Sequence, residues 1–284
     1  IDLFIVVSHI GINADRKLAE AVPEIDLIIG GHSHTYMRQA ENVNGVWIVQ
    51  ANDHGRYAGV TNFHVDEGKI TSLNMDYVET IVGKLTPSKD VAEIINTYET
   101  ELSEVMNEVI GTLETSWSTR GAESNLGNWI SDAFREKTGV DIAMMNNGGI
   151  RKGLKKGTIL VRDIWEIAPF GNTLVTFEWT GAELTEALDY MAKQGRSMQV
   201  SGIEMILERN KGLVDASVNG VEIDPEKTYT LCVNNYTASQ GKKYFGKIIE
   251  PLNETGLIDR NVLIDAVRKN PVINSKIEGR VVIL

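Results

Sequence analysis

The sequence predicts a mixed α/β and α+β protein of two domains joined by a long helix, on three observations. A strand–helix–strand pattern opens the chain and stops at Gly30-Gly31. An amphipathic helical stripe runs from 87 to 109. Beyond it, short apolar strands alternate with further helical stripes to the end. The length of 284 residues suits about two domains at roughly 150 residues each.

In the opening unit, Leu3 to Val7 is a continuous apolar run, the pattern of a strand covered on both faces. Asp15 to Val22 has helical composition, with Leu18, Ala19 and Val22 on one side and Pro23 as the stop. Ile25 to Ile29 is a second apolar strand, and a βαβ unit makes the two strands parallel. Between 45 and 79 the texture changes to short strands and polar turns, read as a small antiparallel addition. Val91, Ile94, Ile95, Tyr98, Leu102, Val105 and Val109 then recur at three-to-four spacing. So narrow a stripe with acidic flanks suits a helix bridging two domains, able to let them rotate. Further on, 124–137 and 181–194 read as helices, and 173–179, 203–207 and 228–233 as strands. Asn219-Gly220 and Asp224-Pro225 mark turns.

Composition excludes several classes. Hydrophobic residues at 42% and charged residues at 24% rule out general disorder. A net charge of -11 argues against gripping a nucleic-acid polymer through its phosphates, and leaves room for one small phosphorylated molecule held by local arginines. Cys232 is the only cysteine, so no disulfide framework or thiolate metal cluster exists. No run of about 18 apolar residues is present to span a membrane. The chain opens inside an apolar run without Met, and the expectation is a piece of a longer protein whose targeting segment lies upstream.

Three of the five histidines, His9, His32 and His34, fall at the carboxyl ends of the two parallel strands, where functional groups of such sheets gather. Neutral imidazole is a common ligand for zinc and similar ions. Gly30 and Gly31 permit a sharp turn, and an extended His-x-His would then present both rings on one side. Three imidazoles and a water would make a zinc site. His54 and His64 are read as structural or surface residues.

In the second domain three segments carry chemistry. Arg120 to Asn128 opens a helix whose N-terminus favours an anion, with Ser124 or Asn125 as cap. Asn146-Asn147-Gly148-Gly149-Ile150-Arg151 follows an apolar strand. Its paired glycines allow a ligand close to the backbone, and Arg151 offers a planar fork for phosphate or carboxylate. Pro169-Phe170-Gly171-Asn172 is a turn with an aromatic ring between Pro and Gly. Glu123 and Asp132 are assigned to capping and to a solvated face.

Ser8-His9-Ile10-Gly11 and Gly30-Gly31-His32-Ser33-His34-Thr35 resemble the last metal-binding motifs of calcineurin-like metallophosphoesterases, as found in the 5'-nucleotidase and UDP-sugar hydrolase family. The three second-domain segments, in this order, resemble the C-terminal domain of the same family. The resemblance implies a carboxy-terminal part of a metallophosphoesterase α/β sandwich over 1–85, a linker helix over 86–109, and a mixed α/β nucleotidase C-terminal domain over 110–284. It implies two divalent metal ions (Zn, Mn, Co or similar) in the intact protein, His9 and His32 on one and His34 on the other. The family's Asp-x-His, bridging Asp and Asn-His-Asp/Glu motifs do not precede His9, so no catalytic residue is assigned in this chain.

The same resemblance gives roles to the second domain. Arg120 and Arg151 would hold the phosphate or ribose end, Asn146 the ribose, and Gly148 and Gly149 the backbone approach. Phe170 would stack on the base and Asn172 would help read its edge. Gln199-Val200-Ser201-Gly202 resembles the segment lining the base pocket. Tyr244 falls in the position of a second stacking aromatic, although Lys242 and Lys243 replace the Asp and Gly of the family pattern, and Glu250 lies where the family has a ribose-binding Asp. The implied activity is metal-dependent release of phosphate from nucleotides, of 5'-nucleotidase type, by an extracytoplasmic protein. The alternatives are a 2',3'-cyclic-nucleotide 2'-phosphodiesterase with 3'-nucleotidase activity, a nucleotide-sugar hydrolase or, for this chain alone, a nucleotide-binding module without turnover.

Overall fold

The computed structural model describes residues 2–81 and 83–284; Ile1, where the opening apolar run begins, lies outside them. The chain divides into one unit up to Asn96 and a second from Thr97 to Leu284.

The first unit contains β1 (Ile5–Val7), α1 (Ile12–Ala21), β2 (Leu27–Ile29), β3 (Glu41–Val43), β4 (Val46–Val49), β5 (Tyr57–Asp66) and β6 (Lys69–Glu79). β1, β2 and β4 are parallel and β3 closes the sheet antiparallel, in the order β1-β2-β4-β3. Val46–Val49 is thus a parallel strand of the main sheet rather than part of an antiparallel addition. The antiparallel part is the β5–β6 hairpin, turned by Glu67 and Gly68, both at positive φ. α1 covers one face of the sheet through Ala19, Ile25, Ile28 and Ile48. The hairpin meets the other through Ile70 and Met75 against Leu27 and Val49, and the Trp47 indole N–H donates to the Ile70 carbonyl at 3.2 Å. The expectation that Leu3 to Val7 is covered on both faces is corrected here. β1 is an edge strand, its apolar side chains are largely exposed, and Val7 is 82% exposed.

α2 (Lys89–Met106) carries the sequence's long stripe, and none of its described residues is buried. The division between the units falls within it.

The second unit runs β7 (Val109–Leu113), α3 (Asn125–Thr138), β8 (Ile142–Asn146), β9 (Gly157–Leu160), α4 (Val161–Ile167), β10 (Thr173–Thr180), α5 (Gly181–Lys193), β11 (Met198–Ser201), β12 (Ile203–Glu208), β13 (Gly212–Val218), β14 (Val221–Glu222), β15 (Thr228–Asn234), α6 (Asn235–Ser239), α7 (Gly241–Phe245), β16 (Asn253–Ile258), α8 (Asp259–Lys269), β17 (Val272–Ile273) and β18 (Val281–Ile283). Its central sheet is mixed, in the order β11-β8-β15-β10-β16, with β8 and β15 parallel and the outer pairs antiparallel. Alternate residues face two cores. Ala143, Met145, Leu174 and Cys232 pack with α3, α4 and α8, while Ile142, Met144, Val175 and Leu231 pack with α5 and with β12 of the next sheet. Burial on both faces is why β8 reads as an unbroken apolar run. It also pushes the Cys232 thiol up to about 12 and leaves it inert.

Helix ends follow local chemistry. Ser124 caps α3, its hydroxyl accepting the Gly127 N–H at 3.0 Å, and Gly139 closes the helix in the left-handed region. Thr180 and Glu183 form a reciprocal capping box on α5. Glu123 is not a cap. It is 7% exposed and receives the Asn128 side-chain amide at 2.6 Å and the backbone N–H groups of Glu278, Gly279 and Val281 at 2.7, 3.0 and 3.5 Å. One buried carboxylate thereby fastens the C-terminal segment, a sequence separation of 155–158 residues that no local pattern could announce. Asp132 is partly exposed as expected, but its carboxylate holds both guanidinium nitrogens of Arg280, at 2.7 and 2.9 Å.

Candidate functional site

In the first unit the histidines separate into two groups. His9 follows β1, and its ring lies 5.2 Å from that of His32, edge to face. His34 turns away to Asp53, with Nδ1 3.3 Å from Oδ2, and its ring is 5.8 Å from that of His54, which also approaches Asp53 at 3.5 Å. The extended His-x-His expectation is corrected. His32 and His34 have φ of 69° and 54°, so the backbone winds left-handed and sends the two rings to different neighbours. Gly31 leaves the His9 ring room, since a Cβ there would stand 2.8 Å from His9 Nδ1 and make the ring shift. His54, read as structural, sits beside His34.

No three His, Cys, Asp or Glu side chains among the described residues are grouped as metal ligands. The His9–His32 pair offers two donors where a closed tetrahedral site needs four. The residues present therefore do not make a metal site by themselves.

The second unit builds a loop cluster at one end of its central sheet. β8 delivers Asn146, 4% exposed, whose Oδ1 accepts the Asn234 amide at 2.9 Å and the Thr237 hydroxyl at 3.2 Å. Asn234 ends the neighbouring parallel strand and caps α6 by accepting the Thr237 N–H at 2.8 Å. The Asn146 side chain also neighbours the Tyr244 hydroxyl and acts to lower its pKa. Burial nonetheless raises the Tyr244 hydroxyl above its usual range, helped by neighbouring Tyr236.

The turn after Asn146 leads to Arg151. Its backbone N–H donates to the Ile167 carbonyl at 2.9 Å and its guanidinium to the Gly148 carbonyl at 3.4 Å. That first bond ties the Gly148-Gly149 loop to the end of α4, directly before the Phe170 turn. Phe170 is 60% exposed at the tip, with the Arg151 guanidinium carbon 5.7 Å from its ring centre. Gly149 is buried, and a Cβ there would meet Met145 at 2.5 Å and Asn146 at 3.0 Å.

Gln199, on β11, joins this loop to the one before α3. Its carbonyl accepts the Ser124 N–H at 2.8 Å, and its amide donates to Asn147 at 2.6 Å and to the Ala122 carbonyl at 3.1 Å. Arg120, exposed on that first loop, donates its backbone N–H to the Ser118 hydroxyl at 3.2 Å. Neither Arg120 nor Arg151 forms an ion pair among the described residues.

The structure thus brings Asn146, Gly148, Gly149, Arg151, Phe170 and Tyr244 onto one chain of contacts and hangs the Arg120 loop beside it. It sets Gly202 apart. β11 runs antiparallel to β8 with Met198 opposite Asn146 and Ser201 opposite Ala143, so Gly202 lies at the far end of the strand. There its φ is +80°, and a Cβ would overlap the Asp141 carbonyl, which is a structural reason for glycine. Asn172 lies beneath the Phe170 turn, its carbonyl accepting the Asp259 N–H at 2.8 Å. Burial pushes the Asp259 carboxyl up to about 6 against hydrogen bonds from Arg260 and Asn172. Sequence reasoning passed over Gln199 as an individual residue, and Asn234, Thr237, Asp259 and Arg260 altogether. Of these only Asn234 carried a local signal, as an Asn three residues before its Thr237 partner.

Two arginines without ion pairs among the described residues thus sit on loops at one end of a mixed sheet covered on both faces. Residues 108–247 match the family model of the 5'-nucleotidase C-terminal domain. The trifunctional nucleotide phosphoesterase protein YfkN of Bacillus subtilis (strain 168) is 30% identical, aligned with 99% of this chain and 21% of its own length. Protein UshA of Escherichia coli (strain K12) is 27% identical over 95% of this chain and 59% of its own. The crystal structure of the 5'-nucleotidase precursor from Thermus thermophilus superposes with a TM-score of 0.81 at 29% identity, over 100% of this chain and 64% of that one. The chain therefore spans about a fifth of the first relative's length and three fifths of the other two.

Proposed function

We propose that this chain is the nucleoside-binding part of a phosphohydrolase acting on nucleotides, of 5'-nucleotidase type, in which 110–284 grips the nucleoside and 1–85 belongs to the metallophosphoesterase domain, with 86–109 as linker. The observation that carries the reading is Phe170: a large aromatic ring, mostly bare, fixed at a loop tip with a guanidinium alongside. A stacked base would bury that ring. Tyr244, fixed by Asn146, supplies the opposite wall, and Arg151 and Arg120 supply cations for the phosphate or ribose in a protein of net charge -11. Stacking tolerates any base, which suits a broad nucleotide substrate class.

His9, His32 and His34 are the chain's contribution to a two-metal site, whose ions would polarise the phosphoryl group and the attacking water. With no three-ligand group among the described residues, the favoured second reading for this chain alone is a binding module without turnover. An extracytoplasmic location follows from the family resemblance; no helix among the described residues is long and apolar enough to cross a membrane.

The test is calorimetric titration of adenosine into the 284-residue chain and its Phe170→Ala variant, with an AMP hydrolysis assay alongside. Binding by the native chain is expected, with affinity falling roughly 5- to 150-fold in the variant, since one base–aromatic contact is worth about 1–3 kcal/mol. Negligible phosphate release is expected from either. Equal affinities would remove Phe170 from the site, and robust metal-dependent turnover would reject the binding-module reading.

A further inference from the structure

We propose that Asp259 and Arg260, consecutive residues at the start of α8, are positioning residues that hold the Pro169–Asn172 turn in the shape that offers Phe170 and Asn172 to a nucleobase. The inference rests on the nucleoside-binding reading and adds the machinery beneath it.

Two separate sets of contacts point to this role. Asp259 is 1% exposed. Its N–H donates to the Asn172 carbonyl at 2.8 Å, its Oδ1 accepts the Arg260 N–H at 2.6 Å, and its carboxylate also hydrogen-bonds the Asn172 side chain. Asp259 thereby holds Asn172 twice, through its own backbone N–H and through its carboxylate. A fully buried acid on an exposed loop's underside is costly to keep, and hydrogen bonding to that loop is what it supplies.

Arg260 acts on the other half of the turn. Its guanidinium carbon stands 3.8 Å from the centre of the Trp165 ring, and Nη1 donates to the Pro169 carbonyl at 3.4 Å. Gly171 adopts φ +62°, and a Cβ placed there would meet Nη1, Cζ and Nη2 of Arg260 at 2.9 to 3.1 Å. The planar cation is thus layered between the indole and the turn's backbone. A lysine, being a point charge without a flat face, cannot fill that layer. Phe170 is carried by the same four residues and pairs with no aromatic ring among the described residues, so its direction depends on this platform.

Adenosine and ribose 5-phosphate are titrated separately into the full 284-residue chain as native protein, Asp259→Ala, Asp259→Asn and Arg260→Lys, with thermal melts confirming folding. Asp259→Ala and Arg260→Lys are each expected to weaken adenosine binding about tenfold, the loss of a hydrogen bond worth about 1.4 kcal/mol, while ribose 5-phosphate changes less than about twofold. Asp259→Asn, which keeps an acceptor for Arg260 and a partner for Asn172, is expected to restore adenosine binding to within about threefold. Folded Asp259→Ala and Arg260→Lys proteins that bind adenosine like the native chain would overturn the proposal, as would equal losses for both ligands. Should Asp259→Ala fail to fold, Arg260→Lys decides alone. A native chain that binds ribose 5-phosphate but no adenosine would instead reject the nucleobase site, and the platform's role with it.

Discussion

Replacing Asn146 with alanine is expected to remove about 2–5 kcal/mol of stability and, with it, nucleoside binding. The magnitude follows from what is orphaned. Asn234 and Thr237 are both 0% exposed, and both direct a donor at Asn146 Oδ1. An unpartnered buried polar group costs about 1–3 kcal/mol, and the Thr237 hydroxyl can rotate to another acceptor while the Asn234 amide, anchored at the α6 cap, keeps only the weak Met145 Sδ acceptor at 3.4 Å. The Tyr244 hydroxyl loses its Asn146 neighbour in the same step. Urea unfolding at pH 7 gives the stability change directly. An Asn146→Asp variant separates the two roles, because it keeps the acceptor for Asn234 and Thr237 but removes the amide beside Tyr244. Retained stability with weakened adenosine binding is the expected pattern. Native stability in Asn146→Ala would mean the network carries no weight.

The second large effect concerns Glu123, far from any ligand. An unpartnered buried polar group costs about 1–3 kcal/mol, and Glu123→Ala would leave three backbone N–H groups without their acceptor and take one of two from the Asn128 amide. Burial alone would raise this carboxyl. The four hydrogen bonds from Asn128, Glu278, Val281 and Gly279 outweigh it and hold the group below its ordinary 4.5. The sign of the pH dependence follows. A group whose pKa is lower in the folded state adds stability that is fully present above 4.5 and is lost as pH falls through the folded value. Native and Glu123→Ala proteins should therefore differ most at neutral pH and converge in acid. A gap that stays constant from pH 7 into the acid range would contradict this.

Legibility in the sequence tracked how local the cause was. β8 was readable because both its faces are buried, so Ile142 to Met145 forms one apolar run. α5 was read over 181–194, close to its observed Gly181–Lys193. Asn219-Gly220 announced its turn through two residues that accept positive φ. Causes that act across the chain left no such trace. Glu123 is defined by residues more than 150 positions away, Gln199 by loops 52 and 75 positions away, and Asp259 by a turn on another strand. His32 and His34 were misjudged in direction because period-two reasoning holds only on extended backbone. Gly202 shows the opposite failure: a motif position explained by a backbone collision rather than by a ligand.

The central claim is that Phe170 and Tyr244 face one slot that a nucleobase fills. A crystal structure of the 284-residue chain soaked with adenosine tests it most directly. The base is expected between those two rings, with the Arg151 guanidinium on the ribose side. A base bound elsewhere, or rings that open onto no shared cavity, would contradict it.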